Sequence, residues 1–90
     1  MNTFKIILSG RVQGVGFRYF TESRANKYNI KGYVRNTVDN KVEITCQGED
    51  EELKQFIEEI KKGPAFSVVT DISIQPVTNP KNYYSFEIKF

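Results

Sequence analysis

Ninety residues, 39% of them apolar, suffice for one small hydrophobic core, so a single domain spanning residues 1–90 is expected. Thirteen Lys and Arg against 11 Asp and Glu leave a formal net charge of only +2, which argues against a dedicated nucleic-acid or membrane-surface protein, and the apolar run Ile6 to Leu8 is too short for a signal peptide or a membrane span. One cysteine excludes an internal disulfide, and the absence of histidine removes the commonest general base and most zinc sites, so the expectation is a soluble cytoplasmic chain with no metal and no cofactor.

Along the chain, Phe4, Ile6 and Leu8 alternate, which predicts a first strand over Phe4–Leu8. It runs into a glycine-rich segment, Gly10 to Arg18, with the sequence G-R-V-Q-G-V-G-F-R. Phe17, Thr21, Ala25 and Tyr28 then recur at helical spacing and predict a helix over Phe17–Tyr28, closed by Asn29 in the left-handed region ahead of Gly32. A second strand is predicted at roughly Tyr33–Val38, followed by a tight turn at Asp39-Asn40. Val42, Ile44 and Cys46 alternate with Glu43, Thr45 and Gln47 to give a third strand with one buried face.

The second helix begins with Asp50 as its cap and Glu51 and Glu52 in its first turn. Leu53, Phe56, Ile57 and Ile60 form its apolar stripe, and Lys61, Lys62, Gly63 and Pro64 end it. A fourth strand is predicted at about Val68–Gln75, with Thr70, Ile72 and Ile74 sharing a face. The polar segment Thr78 to Asn82 reads as a loop, and Phe86, Ile88 and Phe90 as a last strand. The order βαββαβ plus a C-terminal strand describes an α+β, ferredoxin-like two-layer sandwich: a mostly antiparallel sheet with two helices on one face.

The segment from Gly10 to Arg18 is suited to holding an oxyanion. Gly10, Gly14 and Gly16 permit positive φ and close approach to a ligand, so successive N–H groups can converge on an anion. The helix starting near Phe17 adds the positive end of its dipole, and Arg18 a planar fork of donors for phosphate.

Familiar phosphate motifs do not fit. A Walker A loop needs Lys and then Ser or Thr after its last glycine, and none follows here. A dinucleotide fingerprint from Gly14 would need glycine where Tyr19 stands. A cysteine phosphatase loop ending at Arg18 would need its thiol where Val12 stands, and Cys46 has Glu52 six residues after it.

The segment therefore offers an anion cradle and an arginine, with no nucleophile, acid or metal-ligand cluster. A phosphate monoester leaves as an alkoxide and normally needs a general acid or a metal ion. An acyl phosphate leaves as a carboxylate whose conjugate acid has a pKa of roughly 4 to 5, so it needs no proton at neutral pH. What then remains is to orient a water, a task for an uncharged side chain that both donates and accepts.

The stretch G-R-V-Q-G-V-G-F-R, followed by G-Y-V-R-N from Gly32 to Asn36, resembles the acylphosphatase family. The likeness extends over essentially the whole chain, including Gly63-Pro64 and the closing S-F-E-I. It implies metal-independent hydrolysis of the carboxyl–phosphate bond of a small acyl phosphate. It further implies that phosphate is held by Arg18 and the backbone N–H groups of Gln13, Gly14, Val15, Gly16, Phe17 and Arg18, with Asn36 orienting the attacking water. The sequence departs from the family pattern at Asn40 and Asn29, where glycine is usual or frequent; both replacements tolerate the left-handed region.

Other residues have plainer readings. Arg11 is a solvated or structural cation, Phe17 and Phe20 are core packing, and Cys46 is a small buried hydrophobe. Tyr83 and Tyr84 are either packing or a lip of the site. Two other functions share the expected architecture: an RNA-binding module and a non-catalytic phosphate sensor. Lys31-Gly32-Tyr33-Val34 partly matches an RNA-recognition motif, but on the wrong strand, so no nucleic-acid partner is expected. Acylphosphatase-like domains also stand at the front of larger carbamoyl-transferring proteins; the chain ending at Phe90 is instead expected to act as a stand-alone monomer.

Overall fold

A computed structural model describes residues 1–90. The elements are β1 (Asn2–Arg11), α1 (Phe17–Lys27), β2 (Lys31–Asn36), β3 (Val42–Gly48), α2 (Asp50–Lys62), β4 (Val68–Pro76) and β5 (Phe86–Lys89). They build one five-stranded sheet in the order β4-β1-β3-β2-β5, antiparallel throughout except where β5 runs parallel to β2. This is the ferredoxin-like α+β arrangement expected from the element order.

The core forms where the helices cover the sheet. Ile6, Leu8, Val34, Val42, Ile44, Cys46 and Phe86 from the strands meet Phe17, Ala25, Leu53, Phe56 and Ile60 from the helices. Phe56 packs edge-on against Phe86, ring centroids 6.3 Å apart. The first helix ends as its sequence indicates. Asn29 takes φ 58°, and the N–H groups of Asn29 and Ile30 donate back to Asn26 O at 3.5 Å and Ala25 O at 2.8 Å, the double bond pattern of a left-handed helix stop. Asn40 likewise adopts φ 66° in the β2–β3 turn.

Several local expectations are corrected. The first strand is ten residues long and includes Gly10 and Arg11. A bulge between Ser9 and Gly10 shifts its pairing with β4, so Gly10 opposes Val69. A Cβ at Gly10 would lie 2.1 Å from Val68 O, so it is the close approach of β4 that requires glycine here. The same shift breaks the alternation in β4. Val69 and Ile72 pack on the core, whereas Thr70 and Ile74 are exposed.

The third strand is buried on both faces rather than one, because it lies at the middle of the sheet. On the face away from the helices, Glu43 accepts from Arg35 Nε and Nη2 at 3.1 and 3.0 Å and from the Tyr33 hydroxyl at 2.8 Å. Gln47 donates to Thr3 Oγ1 at 2.9 Å and Lys81 O at 3.0 Å, and accepts from Tyr83 N at 3.0 Å. These bonds satisfy polar groups that the strand alternation alone would have left facing water.

At α2 the cap position is Glu49, which makes no side-chain capping bond, and Asp50 is the first helical residue, bonded instead to the Asn2 carboxamide. At the other end of the chain, β5 stops at Lys89 and Phe90 lies outside it, exposed. No helix is long and apolar enough to cross a membrane.

Candidate active site

Three segments converge beyond one end of the central strands: the β1–α1 loop, the first turn of α1, and the end of β2. Val12, only 1% exposed, anchors the loop in the core. Beyond it the backbone passes through left-handed positions at Gly14, φ 75°, and Gly16, φ 79°. A side chain at either would meet open space, so it is the backbone conformation that requires glycine there. Gly16 is the cap of α1, and its carbonyl accepts the first helical bond from Phe20 N at 3.0 Å.

No side chain caps α1 and no acidic residue stands in its first turn. The N–H groups at that end have no carbonyl one turn earlier to pair with, and together with the helix dipole they favour an anion. Phe17 fixes the start of the helix. It is 2% exposed and packs edge-to-face against Phe20 with centroids 6.0 Å apart, so it serves the core and the cavity wall together.

A cavity of about 160 Å³ lies at this point, lined by Val12, Gly14, Gly16, Phe17, Arg18, Tyr19 and Asn36. A water molecule takes about 30 Å³ of liquid volume. The cavity is therefore larger than a single water molecule needs. Asn36 is the last residue of β2, not an interior position of a strand running to Val38. Val38 lies in the turn, fully exposed.

Of the residues singled out in the sequence, Gly14, Gly16, Phe17, Arg18 and Asn36 line this one cavity. Val15 is half-buried against the core beside it. Gln13 is in the loop, but its side chain is engaged elsewhere: the carboxamide Nε2 donates to Thr37 O and to Lys41 O, each at 2.9 Å. Arg11 is exposed, opposite Val68 in the β1–β4 ladder, and does not line the cavity. Tyr83 and Tyr84 do not line it either. Tyr83 packs against Tyr33 with centroids 6.3 Å apart, and both Tyr83 and Tyr84 border two other cavities of about 370 and 240 Å³ with mixed charged linings.

Two contacts had no signal in the sequence pattern. The Arg18 guanidinium carbon lies 4.7 Å from the centroid of the Phe90 ring, a cation–π arrangement. Tyr19, 62% exposed, adds an aromatic wall next to Arg18.

The chemistry available is that of anion binding and water orientation. No three His, Cys, Asp or Glu side chains are grouped so as to hold a metal. Cys46 is enclosed in the core, and burial pushes its thiol up to about 12, so near neutral pH it is protonated and no nucleophile.

Known proteins resemble this chain in sequence and fold. The family model described as acylphosphatase matches residues 4–88. An acylphosphatase from Bacillus licheniformis is 44% identical over 90 residues, covering all of both chains. The crystal structure of acylphosphatase from Bacillus subtilis superposes with a TM-score of 0.96 at 42% identity, again over the whole of both chains. Full-length HypF, in its phosphate- and nucleotide-bound form, contains a region similar to 99% of this chain with a TM-score of 0.88 and 37% identity, but that region is only 12% of its own length. With the fold, the loop and the full-length likeness in agreement, the chain belongs to the acylphosphatase family.

Proposed function

We propose that this protein hydrolyses the carboxyl–phosphate bond of acyl phosphates by direct attack of water, without a metal ion, releasing a carboxylate and inorganic phosphate. Family and fold support acyl phosphate hydrolysis. The observation that carries the finer reading is the cavity itself, where an uncapped helix start, two left-handed glycines, one arginine and one asparagine share a single lining.

In this mechanism the phosphoryl oxygens sit against the backbone N–H groups from Gln13 to Arg18, and the Arg18 fork pairs with two of them. Asn36 accepts a hydrogen bond from the water and holds it in line with the scissile P–O bond. The water oxygen forms the new bond to phosphorus while the bond to the acyl oxygen breaks. That oxygen takes the electron pair as a carboxylate, and the water's proton passes to the released phosphate or to solvent.

The leaving group needs no proton, because a carboxyl pKa lies near 4. Catalysis then consists of position and fixed charge, which is what such a cradle supplies.

The direct test follows the ultraviolet loss of benzoyl phosphate at neutral pH in excess EDTA, against a control without protein. Saturable hydrolysis inhibited by inorganic phosphate is expected. A rate equal to the control with folded protein would leave the cavity as an anion-binding site only.

A further inference from the structure

Asn36 and the glycine loop stand on strands that do not pair. In the sheet, β3 separates β1 from β2, with Val42 opposite Leu8 on one side and opposite Asn36 on the other. Those pairs are the last of both ladders at this end, so no strand pairing beyond them fixes the loop relative to Asn36. One side chain crosses the gap. Gln13 Nε2 spends both of its protons on the β2–β3 turn, donating to Thr37 O and Lys41 O at 2.9 Å each.

The turn does not need these bonds to close. Thr37 N donates to Lys41 O at 2.9 Å, Asn40 N to Thr37 O at 3.3 Å, and Lys41 N to Thr37 Oγ1 at 3.0 Å. Both carbonyls that Gln13 reaches therefore have partners of their own. A carboxamide held at two points cannot rotate about its last bond, and Thr37 directly follows Asn36 in the chain. The two bonds join the phosphate side of the site to the water side.

We infer that the Gln13 side chain is a positioning residue for the hydrolysis, a clasp that sets where Asn36 holds the water relative to the phosphate cradle. This rests on the acyl phosphate reading above. The Gln13 backbone contributes to the cradle, and its side chain acts through Asn36. Loss of the clasp leaves the cradle and Arg18 in place but lets the water-holding side drift, and small misplacements of this kind are costly in rate.

The test measures benzoyl phosphate turnover and inhibition by inorganic phosphate in the unaltered protein, Gln13→Met, Asn36→Ala and the double variant. Methionine keeps the length of the side chain and removes both donors. In Gln13→Met, kcat is expected to fall roughly tenfold or more. The phosphate inhibition constant should stay within about threefold, since the loss falls on turnover and not on anion binding. In the Asn36→Ala background the same substitution should lower kcat no further, as for two residues acting as a unit.

Full turnover in Gln13→Met, equal losses of turnover and phosphate affinity, or additive losses in the double variant would each overturn the inference. If Gln13→Met does not fold, Gln13→Asn, which keeps a carboxamide but falls one methylene short, is judged by the same measurements. An unaltered protein that fails to hydrolyse benzoyl phosphate would remove the reaction itself, a result separate from any effect at Gln13.

Discussion

The guanidinium of Arg18 stacks on the ring of Phe90, with 4.7 Å between guanidinium carbon and ring centroid. Arg18 is in the first turn of α1 and Phe90 directly follows β5, so the contact joins two elements distant in sequence beside the cavity that Arg18 lines.

Arg18→Ala is expected to lower turnover of an acyl phosphate by roughly 10²- to 10³-fold, the scale for removing one preorganised donor. It should also abolish most inhibition by inorganic phosphate. Arg18→Lys should recover little, because an ammonium replaces a planar fork with a point charge. Steady-state kinetics with phosphate as inhibitor decide the matter, and near-normal turnover in Arg18→Ala would remove that residue from the mechanism.

Phe90→Leu tests the stacking. A cation–π contact at an exposed site contributes about 0.5–1 kcal/mol, and Phe90 is 87% exposed. Phosphate inhibition should therefore weaken by about two- to fivefold if the ring preorganises the arginine. Tighter inhibition would show that the ring draws Arg18 away from the anion.

For Asn36→Ala the expectation is a large fall in kcat with a much smaller change in phosphate inhibition, since a water-orienting group contributes chiefly in the transition state. The measurement is kcat beside the phosphate inhibition constant. Comparable losses in both would make Asn36 a phosphate contact instead.

The strand and helix order was legible because apolar residues recur with clear periods: Leu53, Phe56 and Ile60 on α2, and Val42, Ile44 and Cys46 on β3. Part of the cavity lining was legible because Gly14, Gly16 and Arg18 fall together in the sequence. What the sequence could not separate was which glycine serves which purpose. Gly10 looks like Gly14 and Gly16 until the bulge at Ser9/Gly10 sets it against β4. That bulge also defeats the period of two, so Val69 was missed and Thr70 misassigned. Asn36 appeared interior to a strand because nothing local marks where β2 stops pairing. Gln13 reaches partners 24 and 28 residues away, contacts that exist only once the sheet has formed.

Glu43 should make stability acid-sensitive. Burial by itself would raise its carboxyl, but hydrogen bonds from Arg35 and Tyr33, with the charges of Lys5 and Arg35, outweigh burial and hold it below the ordinary range. A depressed folded-state value means that its stabilisation is complete above the unfolded carboxylate pKa, near 4.3, and is lost as pH falls through the lower folded value. Glu43→Gln should cost about 1–2 kcal/mol near neutral pH, because Arg35 is half-exposed and water replaces part of what it loses. Denaturant melts of both proteins from pH 7 down to pH 2 should converge at the acid end. A constant gap across that range would mean that the carboxylate's ionisation contributes nothing.

Gly10→Ala and Gly14→Ala should fail in different ways. At Gly10, φ is 118° and an added Cβ would lie 2.1 Å from Val68 O and 2.8 Å from Thr70 N, so the β1–β4 pairing must open. A loss of at least about 2 kcal/mol is expected, from strain and displaced backbone together. Turnover per folded molecule should change little, because Gly10 lies outside the cavity lining. At Gly14 a Cβ meets no atom within 4 Å, and the cost is that of the left-handed conformation alone, about 1–2 kcal/mol. There the loop itself lines the cavity, so relaxing φ away from 75° turns its N–H groups out of register and turnover should fall while most stability remains. Denaturant melts paired with kcat corrected for folded fraction separate the two. Equal loss of kcat in both variants would return Gly10 to the anion loop.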